Sequence, residues 1–399
     1  MSDERCAIAR ERALHRKGCN DQMLLSADHE QIRDAVRSFV AAEVTPHAAA
    51  WDRAATFPRA ALNGLAELGL FGVFVPEALG GAGLDYTALA IALEEVAAGD
   101  GATSTILSVN NCPVCNILLY HGNAAQKEQW LRPLARGKIL GAFALTEPHA
   151  GSDASALRTA ARKDGDAYVI DGAKQFITSG KNGDVAIVFA VTDKGAGKRG
   201  ISAFMVPTDT PGYCVPRLEE KLGQHASDTA CLLFENCRVP AENMIGQPGE
   251  GYRIALSSLE GGRIGIASQA VGMARAAFEA ALKYAHERTA FDTPLFNHQA
   301  VQFRLADMAT QIEAARALAL HAAALKDAGR PCLKEAAMAK LFASEMAERV
   351  CSDAIQIHGG YGYVSDFPVE RIYRDVRVTQ IYEGASDIQR ILIGRALAA

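Results

Sequence analysis

The stretch Asp164-Gly165-Asp166-Ala167-Tyr168-Val169-Ile170-Asp171-Gly172 decides how the chain is read. A short β-favouring run, Tyr168-Val169-Ile170, lies between two Asp-Gly pairs, and Asp-Gly is a strong turn signal. The texture repeats along the chain: Val185 to Val191, Ile201 to Val206 and Cys231-Leu232-Leu233-Phe234 follow. Turn residues separate these runs and no helical pattern intervenes. Strands spaced in this way predict a compact antiparallel β-domain instead of βαβ units.

Helical patterns flank that block on both sides. Ser26 can cap a helix carrying Ile32, Val36, Phe39 and Val40, which ends near Thr45-Pro46. Pro58 suits the first turn of a second helix, closed by Gly69, and Gly80-Gly81-Ala82-Gly83 reads as a loop. Helical spacing covers Thr87 to Ala98, about Thr103 to His121, and Asn123 to Arg136. After the β-block, proline-free helical runs cover Tyr252 to about Arg288, Leu295 to Ala328, and Cys332 to His358. Helices this long suit an antiparallel bundle. The expected class is α+β: a tail at 1–22, a helical domain at 23–139, a middle β-domain at 140–246 and a helical bundle at 247–399.

Composition narrows the function. The 399 residues are 49% hydrophobic and 22% charged, with a net charge of −5, so nothing drives the chain toward nucleic acid or an anionic membrane. No apolar run is long enough to span a bilayer. The first twenty residues are basic, but Asp3, Glu4 and Glu11 argue against a transit peptide and there is no apolar signal core. Nine scattered cysteines in a chain of this size favour reduced thiols and a cytoplasmic setting. Cys112 and Cys115 have C-x-x-C spacing but no second pair, and read as core thiols. A G-x-G-x-x-G fingerprint, a complete P-loop, H-E-x-x-H and G-x-S-x-G are all missing. A nucleotide-like cofactor would therefore need a surface built from several segments.

Four segments carry chemistry. Phe143-Ala144-Leu145-Thr146-Glu147-Pro148-His149-Ala150-Gly151-Ser152-Asp153 is a strand running into a loop of amides and hydroxyls. Phe176-Ile177-Thr178-Ser179-Gly180 sets an aromatic beside a hydroxyl at a strand end. Glu260-Gly261-Gly262-Arg263-Ile264-Gly265-Ile266-Ala267-Ser268-Gln269 holds a carboxylate and a guanidinium three residues apart on one helical face. Ile381-Tyr382-Glu383-Gly384-Ala385-Ser386-Asp387-Ile388-Gln389-Arg390 places a glutamate between apolar neighbours and a glycine. Burial there would raise the carboxyl pKa toward neutrality, as a general base requires.

Together these segments resemble the acyl-CoA dehydrogenase family from about residue 25 to the end, most of all its short-chain members. The resemblance implies a helical domain, a β-domain and a C-terminal four-helix bundle, assembled as a homotetramer. It implies FAD as cofactor, an acyl-CoA as substrate and electron-transferring flavoprotein as electron acceptor. Carried over by residue, Phe143, Leu145, Thr146, Phe176 and Thr178 meet the flavin, with Phe176 where the family more often has Trp. Arg288, Phe291, Gln299 and the run from Gln356 through Gly359 and Gly360 match positions around the flavin's pyrophosphate and adenosine, partly from a neighbouring subunit. Ala385 and Asp387 lie on the flavin-facing turn. Ser152, Glu260, Arg263 and Gly384 serve the substrate, with Glu260 expected to fix the Arg263 guanidinium.

Glu383 is then the base that removes the α-proton. Some members supply their base from the position before the arginine, but here that position is Gly262. Asp292 in place of the usual glycine and Ala385 in place of the usual threonine are expected to weaken FAD binding without removing a group the chemistry needs. A branched-chain dehydrogenase, an acyl-CoA oxidase or other oxygen-using relative, and a non-catalytic scaffold of the same fold are the alternatives. Cys112-Pro113-Val114-Cys115 departs from the short-chain pattern, so acyl length and branching stay open.

Overall fold

The computed structural model of the protein describes residues 25–398; the tail expected at 1–22 lies outside the described residues. The chain opens with α1 (Ala27–Glu43), where the Ser26 hydroxyl accepts the His29 N–H at 3.2 Å as an N-cap should. The chain does not leave the helical layer at Thr45-Pro46. Pro46 opens a second helix, α2 (Thr45–Ala54), because a proline in a first turn loses no helical hydrogen bond. Next come α3 (Arg59–Glu67), α4 (Tyr86–Gly99), α5 (Gly101–Val109) and α6 (Asn116–His121).

The single helix expected from Thr103 to His121 is instead broken. A wider π-helical turn fills Asn110–Cys115, and Cys112 leaves helical geometry (φ −127°, ψ 112°). Pro113 is the reason, since its ring clashes with the preceding turn and it has no N–H to donate. Cys112 and Cys115 are free and fully buried, as core thiols are, and no metal-holding cluster exists among the described residues.

The β-block contains β1 (Gly141–Ala144), β2 (Ala160–Asp164), β3 (Ala167–Thr178), β4 (Val185–Val191), β5 (Ile201–Pro207), β6 (Tyr213–Leu218), β7 (Thr229–Pro240) and β8 (Met244–Ile245). They form one sheet in the order β6-β7-β3-β2-β4-β5-β8, with β1 also on β4. Pairing is antiparallel at β2–β3, β3–β7, β4–β5, β5–β8 and β6–β7. The sheet is nonetheless mixed: β1 runs parallel to β4, and β2 meets β4 in parallel at Ala160–Val191. No hairpin joins β1 to β4, so no tight turn forces the antiparallel sense.

β4 shows why its sequence reads as an unbroken apolar run. Val185, Ile187 and Phe189 enter the core shared with the helices, whereas Ala186, Val188 and Ala190 enter a second core inside the β-block. Both faces are buried, so period-two alternation of polarity disappears.

The C-terminal part is built on α7 (Gly251–Glu287), α8 (Gln299–Asp327) and α9 (Leu333–His358), followed by α10 (Val369–Val376) and α11 (Ser386–Leu397). A small hairpin joins α7 to α8 through Phe291 and Asp292, both at positive φ (52° and 63°) between paired Ala290 and Thr293. Positive φ at both central residues is the turn geometry that favours Gly second, and Asp is among the better non-glycine substitutes. None of the helices among the described residues is long and apolar enough to cross a membrane.

α7 runs so close to α4 that a Cβ on Gly272 would collide with the Glu94 carbonyl oxygen. In an open helix Gly→Ala gains up to about 1 kcal/mol. Here backbone meets backbone, and overpacking of this kind costs about 1–3 kcal/mol. Gly272→Ala should therefore lower the urea midpoint, opposite in sign to helix propensity.

Candidate active site

Two of the four segments meet on the β-block. The Gln175 N–H donates to the Thr146 carbonyl at 2.9 Å, joining the loop after β1 to the end of β3. Lys174, with 0% exposure, donates to the Leu145 carbonyl at 3.0 Å and pairs with Glu147 at 2.8 Å. Glu147 in turn accepts the N–H groups of Arg158 and Thr159. The Leu145-Thr146 turn is thus fixed from below by a buried ion pair. Above it Phe176 stands 62% exposed at φ 61°, an aromatic face turned outward from a strained backbone. Thr178 is half-buried two residues on, Phe143 and Leu145 are largely buried, and Ser152 is exposed on the loop.

The other two segments meet in the helical part. Glu383 lies in the loop between α10 and α11, at φ 55°, and its carboxylate occupies the space a Cβ on Gly262 would take, with Oε2 2.5 Å from that point. The missing side chain at Gly262 therefore makes room for the Glu383 carboxylate. Glu383 Oε2 is buried without a hydrogen-bond partner. Burial pushes its pKa up to about 7, against the pull of the Arg263 and Lys340 charges.

Arg263 is 5% exposed and two of its guanidinium nitrogens, Nε and Nη1, have no partner. The expected pairing of Glu260 with Arg263 is not formed. Glu260 turns instead to Lys326 on α8, 3.0 Å away, because the lysine reaches back from α8 while Arg263 points into the interior beside Glu383. Helical spacing made that pair possible; the neighbouring helix offered a better one. Tyr382 donates to Gln269 at 2.9 Å and lies 3.4 Å from Thr105, anchoring the Glu383 loop from the other side.

A cavity of about 710 Å³ opens between the end of α7 and the end of α9, lined by Tyr284, Arg288, His358, Gly359, Gly360 and Tyr361 among others. Gly359 and Gly360 have nothing within 4 Å of where a Cβ would stand. His358 donates its Nδ1–H to the Ala354 carbonyl at 2.8 Å, which leaves Nε2 as a buried acceptor without a partner. Phe291, Gln299 and Gln356 are exposed outside this lining, as is Asp387, while Ala385 and Gly384 sit half-buried in the Glu383 loop. An exposed guanidinium, a free acceptor and two open glycines fit a phosphate-bearing nucleotide.

The comparisons with known proteins agree with this arrangement. The acyl-CoA dehydrogenase N-terminal domain matches residues 26–138, its middle domain 142–237 and its C-terminal domain 249–398. The chain belongs to the acyl-CoA dehydrogenase family. It is 50% identical over 369 residues to the mitochondrial short-chain specific acyl-CoA dehydrogenase of Mus musculus, covering 92% of this chain and 90% of that protein. The solved butyryl-CoA dehydrogenase of Megasphaera elsdenii superposes with a TM-score of 0.91 at 42% identity, covering 94% of this chain and 99% of that one. A glutaryl-CoA dehydrogenase of Mycobacterium smegmatis, solved in complex with FADH2, matches with a TM-score of 0.90 at 33% identity over 95% and 96% of the two chains. Like its relatives, this acyl-CoA dehydrogenase is a flavoprotein oxidoreductase that uses FAD.

Three groups at the site were given no role from the sequence: Lys174, Lys340 and Gln389. A lysine inside an otherwise apolar helical run, as in Ala337-Met338-Ala339-Lys340-Leu341-Phe342-Ala343, was the available signal for Lys340. Replacing Arg288 with Met should weaken FAD binding about ten- to hundred-fold, the worth of charge-assisted hydrogen bonds. Flavin absorbance per chain after gel filtration measures it, and Arg288→Lys should recover part of the loss.

Proposed function

We propose that this acyl-CoA dehydrogenase oxidises a short-chain acyl-CoA to the trans-2-enoyl-CoA, with Glu383 as the base for the α-proton. The observation that carries the reading is the buried, unpartnered Oε2 of Glu383 facing a helix that has no side chain at Gly262. A carboxylate with its pKa near 7 is half ionised at neutral pH and can take a proton from a carbon acid made more acidic by its thioester. The Glu383 backbone N–H has no acceptor among the described residues, so it is free to donate to the thioester carbonyl and stabilise charge developing there. FAD, when bound, supplies the acceptor for the β-hydride. Burial around Glu383 keeps water from the base, and Gly384 at φ 89° allows the thioester to lie close to the backbone.

The short-chain reading rests on the likeness to the short-chain and butyryl-CoA enzymes. Electron-transferring flavoprotein as acceptor follows from the family resemblance. A homotetramer accounts for the large apolar side chains left in water, Phe291 at 92%, Tyr363 at 87% and Leu397 at 72% exposure.

Butyryl-CoA should bleach the flavin of the wild-type protein, and Glu383→Gln should retain FAD yet fail to bleach. Normal bleaching by that variant would sink the assignment. The rate of bleaching should rise with pH through about 7, because only the deprotonated carboxylate acts, and should fall about ten-fold for each unit below that. In a panel of acyl-CoAs from four to sixteen carbons with branched members, turnover should peak at the short straight chains. Peroxide release in place of electron transfer would mark an oxygen-using enzyme instead.

A further inference from the structure

Lys340 is fully buried, at 0% exposure in the first third of α9, and forms no salt bridge among the described residues. Its one hydrogen bond goes to the carbonyl of Gly384, at 2.8 Å. That carbonyl follows the base directly. Gln389, also at 0% exposure, donates to the same oxygen at 2.7 Å and to the Glu383 carbonyl at 3.2 Å. Both lone pairs of the Gly384 oxygen are therefore taken by buried side chains from two different helices. The backbone they hold is strained, with Glu383 at φ 55° and Gly384 at φ 89°.

Stability alone does not account for a lysine here. Removing an ammonium from water costs several kcal/mol, and one neutral carbonyl returns little of it. A methionine would fill α9 at lower cost. Of the two carboxylates near the lysine, Glu345 is engaged by Arg390 at 2.5 Å, which leaves Glu383 as the one its charge faces. What the position does provide is a positive charge and a donor behind the catalytic loop.

We propose that Lys340 is the positioning residue of Glu383: together with Gln389 it clamps the Gly384 carbonyl and so sets a buried ammonium one residue from the base. The kinetic half of this proposal rests on the reading of Glu383 as the base. The groups facing that carboxylate are Arg263 from α7, Lys340 from α9, Cys112 from the kinked turn before α6, and Tyr382 in its own loop. Burial pushes Cys112 and Tyr382 up to about 12, so both are neutral throughout the working range. Burial also lowers Lys340 to about 8, so it is mostly charged at neutral pH. Arg263 supplies the other positive charge, which is why losing Lys340 should shift the base and not abolish it.

The test uses the FAD-loaded protein and the substitutions Lys340→Met and Gln389→Leu. Difference infrared spectra against Glu383→Gln in the same background report the protonation midpoint of Glu383 without any turnover. Lys340→Met should raise that midpoint by about one pH unit, and Gln389→Leu should leave it in place. In flavin bleaching by butyryl-CoA, the acid limb of Lys340→Met should move up by the same amount. That costs about five-fold in rate at pH 7, with a lowered plateau as well. Gln389→Leu should lower the plateau alone. If Lys340→Met does not accumulate as folded protein, Lys340→Gln, which drops the charge and keeps a donor, must show the same midpoint shift. An unshifted midpoint in the folded lysine variant overturns the proposal. A wild-type protein that no acyl-CoA bleaches would instead refute the dehydrogenase reading, while the infrared result would still decide the role of Lys340.

Discussion

Helix Gly251–Glu287 has to pass within backbone contact of several neighbours along a single length, and small residues are what permit it. At Gly272 it touches the main chain of Glu94, and at Gly261 the side chains of Tyr86 and Cys112. At Gly262 it leaves the volume that the Glu383 carboxylate fills. A side chain at any of the three would push apart elements whose relative placement defines the site. Because the helix is buried along most of its middle, from Gly261 to Ala274, the neighbours have nowhere to retreat.

The Glu383 carboxyl owes its character to that packing. A carboxylate in water ionises near pH 4 and is a poor match for a carbon acid at neutral pH. Glu383 is moved up by loss of water and moved partly back by two cations, Arg263 and Lys340, that approach from different helices. The opposing effects leave it near neutrality. Neither cation makes a close ion pair with it, so the carboxylate keeps a free lone pair instead of being locked into a salt bridge.

Polar groups also bind the β-block to the bundle. The Gln224 N–H, on the excursion between β6 and β7, donates to Asp375 of α10, and Asp375 is held by Arg371, which pairs with Asp100 at the start of α5. Burial lifts Asp375 to about 7 even so. On the far side, Tyr382 joins Thr105 and Gln269. The loop carrying Glu383 therefore lies between two buried networks, each reaching a different part of the chain.

Local chemistry made the element types legible in advance. Proline-free periodic runs gave the bundle helices to within a few residues at most of their ends, and Asp-Gly punctuation marked the strands, because capping, turn geometry and apolar periodicity act over a few residues. Glu383 stood out through the family resemblance and the glycine at 262, with its apolar neighbours and following glycine in keeping. The break at Cys112-Pro113 was present in the sequence as a proline inside a helical pattern. The parallel placement of β1 was not, since it depends on which strand lies nearby once the sheet forms. The same holds for Glu260, whose partner is Lys326 sixty-six positions away and not Arg263 three away. Lys340 reads as an ordinary helix residue until α9 is packed. Sequence alone determined the element types, because those follow from covalent neighbours, and it pointed to Glu383 as the proposed base through the likeness of whole segments to a family. Only the tertiary structure decided which charges face that base, since burial and partnership are set by residues that the chain brings together from a distance.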